Sequence, residues 1–292
     1  MVLIPQLRLE NNGDVIDVST YLPDGFLQEL GARGFGVAPT RLNIREGAGP
    51  GGRWKSTKRL TRDIDLPLII FGDTRAEIKT KMHRLIKLLN DTFSVPTLYV
   101  VYPDEPEVFV NVHYGGGADP VFGVDTNRRT WARWTLTLRA PQPYWTSVQA
   151  RNASLRAANA GRGLIKDTSL SKLRVSSSQT IGTFTIVNPG DVDAFPVWTI
   201  VGPGDTFAAH RVADGLGFTY DEPITNLNPI TVDTRQKTVR DASGENMYGN
   251  LGPAPKLFSL PPGTSQVSVE LTNSDSDSLV SLYFQPRYEL VF

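Results

Sequence analysis

Phe184-Thr-Ile-Val-Asn188-Pro189-Gly190-Asp191-Val-Asp-Ala-Phe195-Pro196-Val-Trp198-Thr-Ile200-Val-Gly202 decides how the second half of this chain folds. Two runs that alternate apolar and polar residues flank a turn signal, Asn188 to Asp191. Alternation places every second side chain on one face, the pattern of a half-buried strand. The same grammar continues with Ile230-Thr-Val-Asp233-Thr234, Gly244-Glu-Asn246, Phe258-Ser-Leu260-Pro-Pro-Gly263 and Val267-Ser-Val269-Glu-Leu271. Short strands separated by Asn, Pro and Gly turns predict a β-sandwich. Trp198, between Val197 and Thr199, reads as a core residue of it.

The first half is also strand-rich. Leu3 to Glu10 and Val15 to Thr20 flank Asn11-Asn12-Gly13-Asp14, a hairpin turn whose central residues tolerate positive φ. Arg41 to Glu46 alternates, with Leu42 and Ile44 on one face. Arg62 to Phe71 is a strand that Pro67 demotes to an edge or a bulge. Further strands are predicted at Thr97–Tyr102, Glu107–Tyr114 and Thr130–Arg139, the last with Trp134, Leu136 and Leu138 on one face. Gly115 to Gly117 reads as loop punctuation. One helix is predicted over Asp73–Asn90. Thr74 and Glu77 form a capping box, and Ile78, Met82, Leu85, Ile86 and Leu89 make the apolar stripe. Residues 147–180 are polar and weakly patterned, and read as a linker with poorly signalled strands.

Composition excludes several function classes. The 292 residues hold no Cys, so no disulfide or thiolate site exists. Thirty basic residues balance thirty acidic ones, with 18 basic and 16 acidic up to residue 150 and 12 and 14 after it. Neither half has the positive excess of a nucleic-acid binder. No apolar run approaches the roughly 20 residues that span a bilayer, and Met1 to Glu10 reads as a strand rather than a signal peptide.

Catalytic and metal signatures are not found. Gly49 to Ser56 resembles a phosphate loop, but Trp54 stands where that loop needs Gly and a strand follows instead of a helix. His83, His113 and His210 share no metal-ligand spacing. Asp73-Thr74, Asp125-Thr126, Asp167-Thr168 and Asp233-Thr234 lack the following Gly of a catalytic Asp-Thr-Gly and read as turns or caps. Asn273 to Ser278 alternates oxygen ligands like a calcium loop but lacks its Gly and Glu, and reads as a hairpin turn. No catalytic residue, metal ligand or cofactor is assigned. Among the aromatics, Tyr220 and Tyr248 lie near turns and are the candidate exposed pair for stacking on a sugar.

The ordered marks resemble those of the siphophage distal tail proteins. In the first half these are the Arg62-Asp-Ile64 strand, the single helix and the close at Pro141-Gln-Pro143-Tyr144-Trp145. In the second they are Asn188 to Asp191 with Phe195-Pro196, Ile230 to Thr234, Gly244 to Asn246 and Leu260 to Gly263. The resemblance implies a mainly β protein with three regions. Residues 1–146 would be a ring-forming, tail-tube-like split β-barrel or sandwich with one helix. Residues 147–180 would link it to a peripheral galectin-like or carbohydrate-module-like sandwich at 181–292. It implies a hexameric ring at the tip of a non-contractile phage tail, assembled in the host cytoplasm and joining the tail tube protein to hub and receptor-binding proteins. DNA would only pass through its channel, and no membrane insertion is expected.

A ring needs head-to-tail contacts that close on themselves. Arg45, Arg53, Trp54, Lys55, Lys58, Arg59 and Arg62 form the candidate subunit-contact loop: flexible at its glycines, basic, with one aromatic anchor. An ordinary surface loop is the plainer reading of the same residues. Two other functions stay open: a carbohydrate- or receptor-binding tail component acting through the C-terminal sandwich, and a cell-wall-degrading enzyme, for which no signature is present.

Overall fold

The computed structural model describes residues 5–18, 24–119, 130–156 and 180–291. Asp125-Thr126, Asp167-Thr168 and most of the 147–180 stretch therefore lie outside the described residues. The chain divides into two compact units, Met1–Gln149 with Tyr288–Phe292, and Ala150–Arg287. It is mainly β, with one α-helix and several sheets, none of them closed into a barrel.

In the first unit β1 (Gln6–Asn11) and β2 (Asp14–Val18) form the predicted hairpin. Asn11 pairs with Asp14, and Asn12 and Gly13 sit at φ of 50° and 79°, the conformation a two-residue turn requires. Three strands follow that belong elsewhere: β3 (Phe26–Gln28), β4 (Thr40–Glu46) and β5 (Gly52–Arg59). The long strand β6 (Arg62–Phe71) precedes the helix α1 (Arg75–Leu88). After it come β7 (Thr97–Val101), β8 (Val108–Asn111), β9 (His113–Gly117), β10 (Trp131–Ala140) and β11 (Trp145–Ser147). With β21 (Arg287–Tyr288), one sheet runs β2-β1-β7-β8-β11-β21; the other runs β3-β6-β10-β9. Leu7, Leu9 and Leu98 from the first sheet, Leu66, Leu68 and Leu136 from the second, and Ile78 and Leu85 from α1 share one core.

The helix begins as its sequence dictates. The Thr74 side chain accepts from the Glu77 amide at 3.2 Å, and the Glu77 carboxylate accepts from the Asp73 amide at 2.9 Å. Ile86 departs from the expected stripe. It is exposed, and Leu88 is buried in its place.

Three strand expectations change. Glu107–Tyr114 is not one strand; it divides at Val112 into β8 and β9, which belong to different sheets. Gly115 to Gly117 lie inside β9, where a Cβ on Gly117 would stand 2.0 Å from the Thr135 carbonyl. Only glycine allows β9 to approach β10 that closely. Pro67 sits in a central strand, not at an edge. Its carbonyl accepts from Glu29 at 2.9 Å, and the next contact on that side is the exchange between Asp65 and Arg33. The hydrogen bond that Pro67 cannot donate is lost just past the end of β3, where the pairing with β6 is already finishing.

The second unit is a sandwich. Its strands in chain order are β12 (Arg151–Arg156), β13 (Thr180–Asn188), β14 (Val197–Val201), β15 (Phe207–Arg211), β16 (Gly217–Tyr220), β17 (Ile230–Asp233), β18 (Thr238–Arg240), β19 (Gly263–Leu271) and β20 (Leu279–Phe284). One sheet runs β12-β20-β14-β17-β18 and the other β13-β19-β15-β16. Asn273 to Ser278 is therefore not a hairpin turn but a crossover from one sheet to the other.

Trp198 sits at the centre, fully buried. Phe184, Phe207, Phe218 and Phe258 surround it with ring centroids 6.0 to 6.3 Å away. The turn residues lock this core from outside. Asn188 donates to the carbonyls of Leu260 at 2.9 Å and Val192 at 3.0 Å, and its own oxygen accepts from Gly190. Thr234 donates to the Pro196 carbonyl at 2.8 Å.

Candidate functional site

The residues from Thr40 to Arg59 form neither a loop nor a disordered arm. They are a two-stranded β-hairpin, β4 with β5, whose residues are almost all exposed. Its root is fixed to the first unit. Arg59 makes a forked contact with the Glu289 carboxylate at 2.6 to 3.0 Å and also donates to Thr40, while Leu60 donates to the Pro39 carbonyl at 2.8 Å.

The register gives the hairpin two faces of different character. Directly opposed residues share a face. Leu42 opposes Thr57, and Ile44 opposes Trp54, so the apolar side chains share one face, with Arg59 and Glu46 at its two ends. Trp54 is 61% exposed, and its indole N–H donates to the Thr57 hydroxyl at 3.0 Å on that same face. Gly52 belongs there too, because a Cβ on it would meet the Ile44 methyl at 2.4 Å. The opposite face is basic, with Arg41 against Lys58 and Arg45 against Arg53. The register shifts between Asn43 and Ile44, leaving Lys55 as the extra residue of a bulge.

Arg41, Arg45, Arg53, Lys55 and Lys58 have no acidic partner among the described residues. Like charges directly opposed across two strands are unfavourable by a few tenths of a kcal/mol or more per pair. The isolated chain thus holds an exposed apolar stripe backed by an uncompensated basic one.

Arg62 does not belong with these residues. It is 1% exposed, and its guanidinium donates to the carbonyls of Gly34, Gly36, Pro143 (2.7 Å) and Glu289 (2.8 Å). It lies 5.2 Å from the Trp145 ring centroid, and Phe35 stacks on that indole at 5.8 Å. Burial pushes its pKa down to about 10, with Glu289 opposing the shift. It is a keystone of the first unit, and the alternating pattern of its strand conceals that.

The aromatic pair divides as well. Tyr220 is 1% exposed and packs in the second core, because its position in β16 points inward. Tyr248 is 39% exposed, on a single 3-10 turn at Tyr248–Asn250. Among the described residues no group of three or more His, Asp or Glu converges as a metal would require, and no helix is long and apolar enough to cross a membrane.

Comparison with solved structures gives this architecture a context. The chain aligns over 96% of its length with 98% of the SPP1 Dit protein, described as a paradigm of the hub adsorption apparatus in phages infecting Gram-positive bacteria. The TM-score is 0.69 at 14% identity. The fold is that of the phage tail hub proteins. A chain of the phage P2 baseplate in its activated conformation with Ca matches over 99% of this chain and 100% of its own length, with a TM-score of 0.56 at 12% identity. The Sr form of that baseplate gives 0.54 at the same identity. No protein-family model and no curated protein sequence matches this one. The likeness of fold thus extends over nearly the whole chain, at an identity of 12 to 14%.

Proposed function

We propose that this chain is a structural, non-enzymatic component of the tip of a long non-contractile phage tail, acting as a hexameric ring of identical copies. The ring joins the tail tube protein to hub and receptor-binding proteins in the virion, after assembly in the host cytoplasm. DNA passes through its channel without a specific contact.

The exposed two-faced hairpin carries this reading. A monomer gains nothing from holding Leu42, Ile44 and Trp54 in water beside two opposed like-charge pairs. Laid against the next copy, the apolar face is buried and the basic face meets acidic groups. Because the hairpin of one copy contacts a different surface of its neighbour, the contact is head-to-tail, the type that generates rings when the rotation closes. Most large exposed apolar side chains, including Leu30 and Phe93, also belong to the first unit, which suits it to be the assembling part.

Replacing Leu42 and Trp54 together by Ser tests this. Both are exposed, so the melting temperature of the dissociated chain is expected to stay unchanged. Ring dissociation constants should rise at least about 100-fold, in line with loss of a buried aromatic anchor. Sedimentation across a concentration series reads both states. Rings of unaltered stability from the double variant would remove the hairpin from the interface.

A further inference from the structure

We propose that the second unit binds an acidic saccharide in a cleft beside Tyr248, with a sugar ring lying on the phenol face and the sugar's carboxylate or phosphate held between Lys237 and Lys256. The cleft has a volume of about 310 Å³, within the size range of small-ligand sites. Leu216, Leu257 and Phe258 supply its apolar lining, and Tyr248, Lys237 and Lys256 its polar edge.

Three local structures hold these groups. Tyr248 sits on a turn pinned by its own amide donating to the Asn246 side chain at 3.1 Å, and by the Leu251 amide donating to the Tyr248 carbonyl at 3.2 Å. Lys256 is placed by its amide donating to the Gly217 carbonyl at 2.8 Å, which fastens the Pro255 strap to β16. Lys237 closes the turn between β17 and β18, a turn braced by the Asp233 carboxylate accepting from the amides of Arg235 and Gln236. Lys237 itself has φ of 55°, where Gly or Asn would be less strained. The chain thus keeps a long cation at a position that its backbone favours giving to another residue.

Neither ammonium has an ion-pair partner among the described residues, although the neighbouring Arg211 is paired with Asp214. An anion between the two lysines satisfies both. An aromatic face with apolar side chains beside them suits the C–H face of a pyranose, and the polar part of the lining suits its hydroxyls. The proposal does not depend on ring formation, and each can fail without the other.

The test is calorimetric titration of the full chain with three probes: a glucuronate-containing tetrasaccharide, a glucose-phosphate oligomer, and neutral chitotetraose, with tetraglutamate as the peptide control. Saturable binding of a charged sugar, at least about tenfold tighter than the neutral one, is expected. The better charged probe shows whether carboxylate or phosphate is preferred. Lys237→Asn with Lys256→Gln should abolish that margin; Asn tolerates the positive φ, so folding is preserved. Tyr248→Ala should weaken binding at least about tenfold, and an unchanged melting temperature establishes that each variant is folded. No saturable binding of either charged sugar at millimolar concentration overturns the proposal. So does binding that all variants retain, or tetraglutamate binding as tightly as the sugars.

Discussion

Arg62→Ala is expected to destabilise the first unit by about 3–5 kcal/mol, because hydrogen bonds from a charged donor contribute about 1.5–3 kcal/mol each. The side chain is 1% exposed, and its donors serve four carbonyls: Gly34 and Gly36 in one loop, Pro143 at the close of the unit, and Glu289 in the returning C-terminal segment. Its loss leaves all four without these donors and uncovers the Trp145 indole. The pKa of about 10 keeps the group charged at neutral pH despite its burial. Arg62→Lys should restore only a small part of the stability, because a single ammonium cannot fork between acceptors on separate segments. Urea denaturation followed by tryptophan fluorescence measures this directly, since Trp54, Trp131, Trp134 and Trp145 all belong to the first unit. A midpoint equal to the parent's would show that Arg62 is dispensable.

Trp198→Ala is expected to cost the second unit about 3–5 kcal/mol, the range for deleting a large buried aromatic. Three phenylalanine rings from the facing sheet, Phe184, Phe207 and Phe218, and Phe258 from a loop lean on this indole, so its removal leaves a cavity that stiff neighbours fill poorly. Its ring N–H has no acceptor among the described residues, so Trp198→Phe forfeits packing but no hydrogen bond and should cost roughly half as much. The variant also isolates its own effect. Every remaining tryptophan lies in the first unit, which has a separate core. The fluorescence transition should keep the parent midpoint while far-UV circular dichroism gains an earlier transition. If dichroism and fluorescence coincide at the parent midpoint, the indole is not the centre of the second core.

Much of this was legible in the sequence because local rules and tertiary structure agree there. The Asn12-Gly13 turn, the Thr74 cap and the inward row of Trp134, Leu136 and Leu138 all follow from short-range chemistry. The residues that mark the family resemblance turn out to touch. Arg62 bonds the Pro143 carbonyl and covers Trp145; Asn188 bonds Leu260; Thr234 bonds Pro196. Each spans more than thirty residues, so these marks tie together segments that the sequence keeps far apart.

What was not legible depended on partners distant in sequence. Pro67 stands in a central strand because the strands that flank β6, Phe26–Gln28 and Trp131–Ala140, come from segments distant in sequence. Glu107 to Tyr114 hides a change of sheet at Val112, since each half alternates correctly. Tyr220 and Tyr248 look alike beside turns, yet one faces the core and the other water. Arg41 to Glu46 alternates legibly, but the second strand of the hairpin reads as a loop because its glycines and charges carry no burial signal: it has no inside in the single chain.

The mass of the purified full chain in solution tests the central claim most directly. Light scattering and sedimentation over a wide concentration range, with particle images of the same sample, are expected to show closed rings of one copy number. A chain that remains monomeric at its highest soluble concentration, with Trp54 still in water, would contradict the account.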